Sequence, residues 1–443
     1  MKRLIQTLLF TALVAMMPTL AVAQILEDFD QWRSEEIQKD RKLKKGWQWA
    51  LKLPSLDHFP TYTVKVNGKE YTPIKFEELS YLDIPTAKQF DFEISANVPI
   101  KRFNISPHSY GIKGTLEGNV LKFSIDRPRK LVITLNTSHR LLLFANGPEK
   151  FPFKPDDQKV IRLSDYKVDA TGKKDETATI QKAIDDTAKI QGTLYIPKGT
   201  YCITQLQMRS NTTLYLHRNA TLKLSPDKEK HHAIIEKNLQ KGIQFIAPIL
   251  IDNVHDVRIC GYGTIDGNGV VLAQKTGFVQ RGRYRLVHSV DSKNIQIADV
   301  ILKNPQRWNT HLANTENIRL ENIKIINSIN ICNTDAIDPD NARDVLIRDV
   351  FTYSGDDSVV IKTSSRWHDK TRTEDQFIKS ANIRTCDSVF WTAANALKIG
   401  TETFRDIDNV VFENNDVLNA YCALTIEIKE GSKTNNVQFI NKN

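Results

Sequence analysis

The feature that most constrains this chain is a dipeptide that keeps returning. From residue 256 onward, Asn or Asp followed by Ile or Val opens one short apolar run after another. The apolar member falls at Val257, Ile295, Ile318, Val345, Ile383, Val410 and Val437, at intervals of 38, 23, 27, 38, 27 and 27 residues. Four intervals lie near 25, and the two long ones read as single coils with an added loop of about a dozen residues, a size typical of functional insertions. The second such loop, SSRWHDKTRTED at 364–375, is polar throughout. A repeat of this length without helical patterning predicts a right-handed parallel β-helix, in which no coil buries its apolar side alone. The recurring asparagines should form ladders at the turns. A leucine-rich repeat would need Leu at the key positions and a helical segment per repeat, and a propeller would need a longer period. The chain reaches VQFINKN just after a new coil opens, without a polar cap, so the helix is expected to be incomplete at Asn443.

Upstream the pattern changes several times. Residues 1–23 begin with Lys2 and Arg3, continue as a short apolar run and end in Ala21-Val22-Ala23. That is the form of a cleavable signal peptide, with cleavage after Ala23 and a secreted or periplasmic product. No later stretch is long and apolar enough to span a bilayer. Residues 24–54 are charged. Residues 55–148 hold short alternating runs such as TYTVKV and FDFEIS, separated by turn residues such as Asn67-Gly68, which predicts an antiparallel β-sandwich. Residues 149–159 read as a linker, and 160–443 as the β-helix. Within it, 177–189 carries apolar positions at helical spacing with Gly192 as a stop, as expected of a helix capping the end of a coiled sheet.

The full chain has a formal net charge of +9, which falls to +7 without the leader. A mild excess of this kind suits acidic glycans or a solubilising surface. Neither a basic helix nor zinc spacing points to nucleic acid. The five cysteines, Cys202, Cys260, Cys332, Cys386 and Cys422, are widely spaced, which is neither a disulfide scaffold nor a metal site, although one or two bridges are open after export. The oligomeric state is not encoded in any pattern of this kind.

The acids of NTDAIDPDNARDVLIRDVFTYSGDDSVVIKT, residues 333–363, carry the chemistry. Asp335 precedes Asp356-Asp357 by slightly less than one coil, so Asp335 and Asp356 are expected on adjacent coils, shifted sideways. Adjacent coils lie about 4.8 Å apart. With the shift, the carboxyl separation could reach the ~6.5–9.5 Å of inverting glycosidases. Gly355 permits the bend that turns both neighbours toward one cleft. Proximity raises at least one pKa, giving a general acid beside a water-activating base. Acid clusters also bind calcium, which keeps a polysaccharide lyase as the rival mechanism. A non-catalytic glycan-binding β-helix is the rival from outside enzymes. Asp338, Asp340 and Asp344 fit a structural ladder. Asp357 and Asn395 are 38 residues apart, the same interval as Val345 and Ile383, so Asn395 should stack on Asp357. Trp308 and His311 fall on the same side one coil earlier; Trp308 reads either as a sugar-stacking ring or as a buried core residue, and His311 either as a groove residue or as a hydrogen-bonded structural one. Lys398 and Glu402 follow Asn395, and Lys429 lies one coil beyond Glu402, as an ion-pair partner or a substrate ligand.

These motifs resemble glycoside hydrolase family 28, the polygalacturonases. The resemblance rests on NTD at 333–335, GDD at 355–357, IDGNG at 265–269, and the run from DETATIQKAI to GTLYIPKGTY, over roughly residues 160–443. It implies an inverting hydrolase of polysaccharides without a metal or other cofactor. By the same resemblance Asp356 is the general acid, and Asp335 and Asp357 activate water. Two segments depart from the pattern. The family's Gly-His-Gly falls on Ala394-Asn395-Ala396, and its Arg-Ile-Lys, which holds a galacturonate carboxylate, falls on Glu427-Ile428-Lys429. The chain is also similar to family 49, the dextranases, in carrying a sandwich ahead of the helix. Pectin-like or other acidic glycans are the favoured substrates.

Overall fold

A computed structural model describes residues 60–136, 139–227, 230, 247–276, 284–365 and 376–441. The expected signal peptide, the charged segment after it and most of the inserted loop 364–375 lie outside these residues.

Residues 160–440 wind as a right-handed parallel β-helix with three sheets of ten, nine and eight strands. Among the described residues, each coil from Thr193 to Ile426 contributes one strand to each sheet in turn. The seven apolar markers occupy one row of the first sheet, Val257 on Ile295, then Ile318, Val345, Ile383, Val410 and Val437. Every residue preceding a marker is in the left-handed region: Asp256, Asn294, Asn317, Asp344, Asn382, Asn409 and Asn436 have φ of 51–59°. Asn and Asp tolerate this conformation because a short polar side chain bonds locally or to a neighbour. Here the bond goes to the adjacent coil. Asn294 donates to Asp256 (2.9 Å), Asn317 to Asn294 (2.7 Å), Asn382 to Asp344 (2.8 Å) and Asn436 to Asn409 (2.9 Å). Asn and Asp thus supply both the bend and a side-chain bond from coil to coil along the exposed edge of the sheet. The interior is a column of Ile, Leu and Val from Leu194 to Phe412. At its start, the helix Thr177–Ile190 inserts Ile180, Ala183 and Ile184 into that column, ending on Gln191 at φ 50°.

The N-terminal sandwich has two five-stranded sheets. The first is antiparallel, with Phe90, Phe92 and Ile94 facing in and Asp91 and Glu93 facing out. The second departs from the expected antiparallel pattern in one pair: His139–Ala145 runs parallel to Leu79–Ile84. A parallel pair needs a long crossover, and the chain between these strands supplies it by building the other sheet.

The sandwich packs on the outer face of the second helical sheet. Leu79, Tyr81, Val132, Leu142 and Phe144 meet Ile301, Ile326, Phe351, Tyr353, Val389 and Trp391 in one buried cluster. Each fully buried side chain of this size contributes about 1.5–3 kcal/mol, so this is a shared core and not a loose contact. Polar links flank it, including Lys130 with Asp349, Arg218 with Asp83, and Ser109 Oγ donating to Asp416 (2.6 Å). None of the five cysteines is in a disulfide; Cys202, Cys260 and Cys386 are buried as small hydrophobes.

Candidate active site

The turns from the second to the third sheet carry the acids. Asp335 precedes the strand Ile337–Asp340, Gly355-Asp356-Asp357 precede Val359–Thr363, and Asn395 opens Asn395–Thr403. The backbone ladder runs on through these turns. Asn309 N–H donates to the Asp335 carbonyl, Ala336 N–H to that of Asp357, and Ser358 N–H to that of Asn395, each at 2.8 Å. Extending this register places Trp308, Asp335, Asp357 and Asn395 at one equivalent position on four successive coils. Asn395 therefore stacks on Asp357 as its spacing predicts. Asp335 and Asp356 lie on adjacent coils with a sideways offset of a single position: Ile337 pairs with Val359, so it is Asp357 that lies directly against Asp335.

Gly355 lets the turn close. A Cβ there would sit 2.6 Å from the Ser328 carbonyl oxygen and 2.7 Å from Thr334 Oγ1. Asp356 folds back over the previous coil, accepting from Asn333 N–H through Oδ2 and from Asp357 N–H through Oδ1, both at 3.0 Å. One oxygen from each of Asp335, Asp356 and Asp357 then lies within 4.8 Å of the others. This is closer than the ~6.5–9.5 Å expected of an inverting pair, because Asp356 is offset from Asp335 by a single position and not by several. These oxygens also converge closely enough to hold a hard cation.

Asp335 and Asp357 are buried, and Asp356 is partly exposed. Burial, reinforced by the charges of Asp335 and Asp357, pushes the Asp356 carboxyl up to about 7. Burial also raises Asp335, against the opposing pull of Lys362. Asp357 accepts from Asn395 Nδ2 (2.6 Å) and from Asn395 N–H (3.0 Å), with Lys398 Nζ 3.2 Å away.

Lys362 was not among the residues singled out from the sequence, yet it sits at the centre. Its Nζ is 2.8 Å from Asp338 Oδ1, 3.3 Å from Asp335 Oδ2 and 3.9 Å from Glu402 Oε2, and 3.7 Å from the centroid of the Trp308 ring. Burial pulls its pKa down, but Asp338, Asp335 and Glu402 outweigh that and hold it well above the ordinary lysine value. The available signal was a lysine inside the apolar strand VVIKT, 27 residues after Asp335. Asp338 faces this lysine and does not join a ladder, whereas Asp344 does.

The remaining predicted groove residues divide. Lys398 bridges Asp357 and Glu427 (3.3 Å), and Glu402 is part-buried beside Lys362. Lys429 is more than half exposed and reaches Glu430 at 3.8 Å, so the expected partner Glu402 turns instead to the preceding coil. Trp308 and His311 do not line an open groove: they are 4 % and 0 % exposed. His311 stacks on His288 (4.8 Å between centroids) with Nε2 3.2 Å from Asp340 Oδ2, and Trp308 serves as a floor for cations. What packs over that side of the strand leaves no trace in the repeat.

The model of the Glycosyl hydrolases family 28 matches residues 187–443. A probable polygalacturonase of Vitis vinifera is 29% identical over 267 residues, 57% of this chain and 53% of the relative. An exo-poly-alpha-D-galacturonosidase of Dickeya chrysanthemi is 26% identical over 309 residues, 58% of this chain and 50% of the relative. The chain thus spans about half the length of these curated relatives. Among solved structures, an exopolygalacturonase from Thermotoga maritima superposes with a TM-score of 0.51 at 22% identity, covering 66% of this chain and 78% of its own. The polygalacturonase from Erwinia carotovora ssp. carotovora gives 0.51 at 19% identity, covering 67% and 83%. These two likenesses are of fold. Because the family model extends over more than half of the sequence, and over every coil that carries Asp335, Asp356 and Asp357, the chain belongs to glycosyl hydrolases family 28.

Proposed function

We propose that this protein is an exported glycoside hydrolase that cleaves a pectic polysaccharide, with polygalacturonate the first polymer to test. The observation that carries the reading is the convergence of three carboxylates from two adjacent coils, one of them with its pKa raised to about 7. Asp356, protonated near neutral pH, donates to the glycosidic oxygen as the bond breaks. Asp335 and Asp357, with Lys362 and Lys398 compensating their charge, orient a water and take its proton. A water held by two stacked carboxylates attacks the anomeric carbon from the face opposite the acid, which inverts the configuration. Asn395, Lys398, Glu402 and Lys429, on the third-sheet strand after the acids and the segment following it, are the proposed sugar contacts. The names of the relatives supply the pectic substrate class.

The test is release of reducing ends from polygalacturonate, with proton NMR of the first product formed. The expected product has the anomeric configuration opposite to that of the linkage cut. A retained configuration overturns the inverting step, and inertness on polygalacturonate overturns the substrate.

The convergence of acid oxygens supports a second reading, a calcium-dependent lyase. Under the hydrolase reading, exhaustive chelation leaves the rate within about twofold, since proton transfer and water activation are both assigned to side chains. A chelator-sensitive reaction yielding an unsaturated, ultraviolet-absorbing sugar end favours the lyase.

A further inference from the structure

We propose that the sandwich turn Glu77-Glu78 is a positioning device for the candidate acids, Glu77 gripping one acid-bearing loop of the β-helix and Glu78 the strand that leads into the other. The inference rests on the reading of Asp335, Asp356 and Asp357 as the reacting groups. The turn joins Ile74–Phe76 to Leu79–Ile84, with Phe76 paired to Leu79, so it is a two-residue hairpin. Glu77 has φ 48°. Two-residue hairpins favour Gly, Asn or Asp at such positions, and the solvent-facing hairpin of the same sandwich uses Asn67-Gly68. Glu-Glu at the second hairpin sets aside local preference. Breaches of this kind concentrate where another requirement overrides the turn.

That requirement is visible in the contacts. Glu77 is 8 % exposed; its Oε1 accepts from Asn330 Nδ2 (3.2 Å), and its Oε2 is buried without a hydrogen-bond partner. Asn330 lies in the loop 327–335 that ends on Asp335. The same loop supplies Ser328 and Thr334, which pack on Gly355, and Asn333, whose N–H holds Asp356. Glu78 holds the strand that leads into the other loop: its Oε1 accepts from Tyr353 Oη at 2.5 Å, within Phe351–Ser354 and two residues before Gly355. Tyr353 is in turn stacked on Trp391 of the next coil (4.2 Å, 16°). Burial, with Glu78 nearby, pushes the Glu77 carboxyl up to about 7, so holding this group at the interface has a cost that packing alone does not require. One turn of the sandwich therefore touches the segments that set the positions of Asp335 and of Asp356-Asp357. Small misplacements of reacting groups are expensive in rate.

The test uses the full chain. Glu77→Ala is expected to raise amide exchange of residues 327–335 about fivefold or more. It should also lower kcat on polygalacturonate about tenfold with KM within about twofold, the pattern of a lost transition-state arrangement. Glu77→Gln, which keeps an acceptor for Asn330, should recover most of both. Lys130→Ala removes a different sandwich–helix link and should leave exchange in 327–335 and kcat near the parent. Should Glu77→Ala not fold, Tyr353→Phe, which deletes only the hydroxyl held by Glu78, decides in its place. Parent-like exchange and kcat in the deciding variant, or equal losses in Lys130→Ala, overturn the proposal. A parent enzyme inert on polygalacturonate sinks the substrate reading instead, and the exchange arm still decides the positioning role.

Discussion

Asp356→Asn is expected to lower kcat on polygalacturonate by about 10²–10⁴-fold, the usual worth of a positioned general acid. It is also expected to raise the melting temperature near pH 7.5. Both follow from one environment. Asp356 is held close to Asp335 and Asp357, and burial with their charges moves its carboxyl from 3.8 to about 7. In the folded protein it keeps a proton that the unfolded chain sheds near pH 4. Its contribution to stability is therefore fully present below about pH 4 and is lost as pH rises toward 7. Above that, an ionised carboxylate is confined beside two others. Asparagine keeps an acceptor for Asn333 N–H but removes the charge, for a gain on the order of 4 kcal/mol at pH 7.5 and none at pH 3.5. Parent activity should fall along an alkaline limb centred near pH 7 as the acid loses its proton. Near-parental activity of the variant, or a clear loss of Tm at pH 7.5, contradicts the assignment of Asp356.

The β-helix was legible because one position per coil meets two demands at once. It must bend through the left-handed region, and it must satisfy a polar side chain next to its copy on the next coil, which few residues besides Asn and Asp do. The markers from Val257 to Val437 are therefore a true register of the first sheet. They do not measure the third sheet. There Thr310 pairs with Ile337, 27 residues on, but Ile337 pairs with Val359 after only 22. The turns take up different numbers of residues on different coils, so Asp335 stacks on Asp357 and not beside Asp356. The Asp357–Asn395 pair was legible because its interval equals that of the first sheet on that coil. Trp308 and His311 show a second limit: periodicity tells which way a side chain points and not what covers it. Lys362 shows a third. Its role is defined by Asp335, Asp338 and Glu402, which lie on two other stretches of chain, and nothing local marks it beyond a charge in an apolar strand. The Glu77-Glu78 turn was more distant still, since its partners Asn330 and Tyr353 lie about 250 residues and more further along the chain, in the β-helix.

Lys362→Met is expected to cost about 3–5 kcal/mol of stability near neutral pH, the range for breaking a buried ion pair by removing one partner. The methionine fills the lysine stem's volume, so the loss is electrostatic. Asp338 is wholly buried, with Oδ1 held by Lys362 at 2.8 Å and Oδ2 without a hydrogen-bond partner, and Asp335 Oδ1 is in the same condition as that second oxygen. With the ammonium gone, both carboxyls, already raised by burial, rise further. Both are protonated in the folded state at low pH at little cost, and the deficit of the variant widens as pH climbs from about 4 toward 8. Catalysis should suffer in the same window. An Asp335 that holds its proton cannot take one from water, so kcat near pH 6 should fall by about 10²-fold even in the population that is folded. A second substitution separates the two effects. Asp338→Asn on the Lys362→Met background removes one stranded charge and should return about half of the lost stability, because the two sites share one network and do not add. It should not return activity, because Asp335 still lacks its counter-charge. Full recovery of kcat in the double variant would mean that Lys362 serves Asp338 alone, and an undiminished Tm in Lys362→Met would mean that the ion pairs around it carry no net stability.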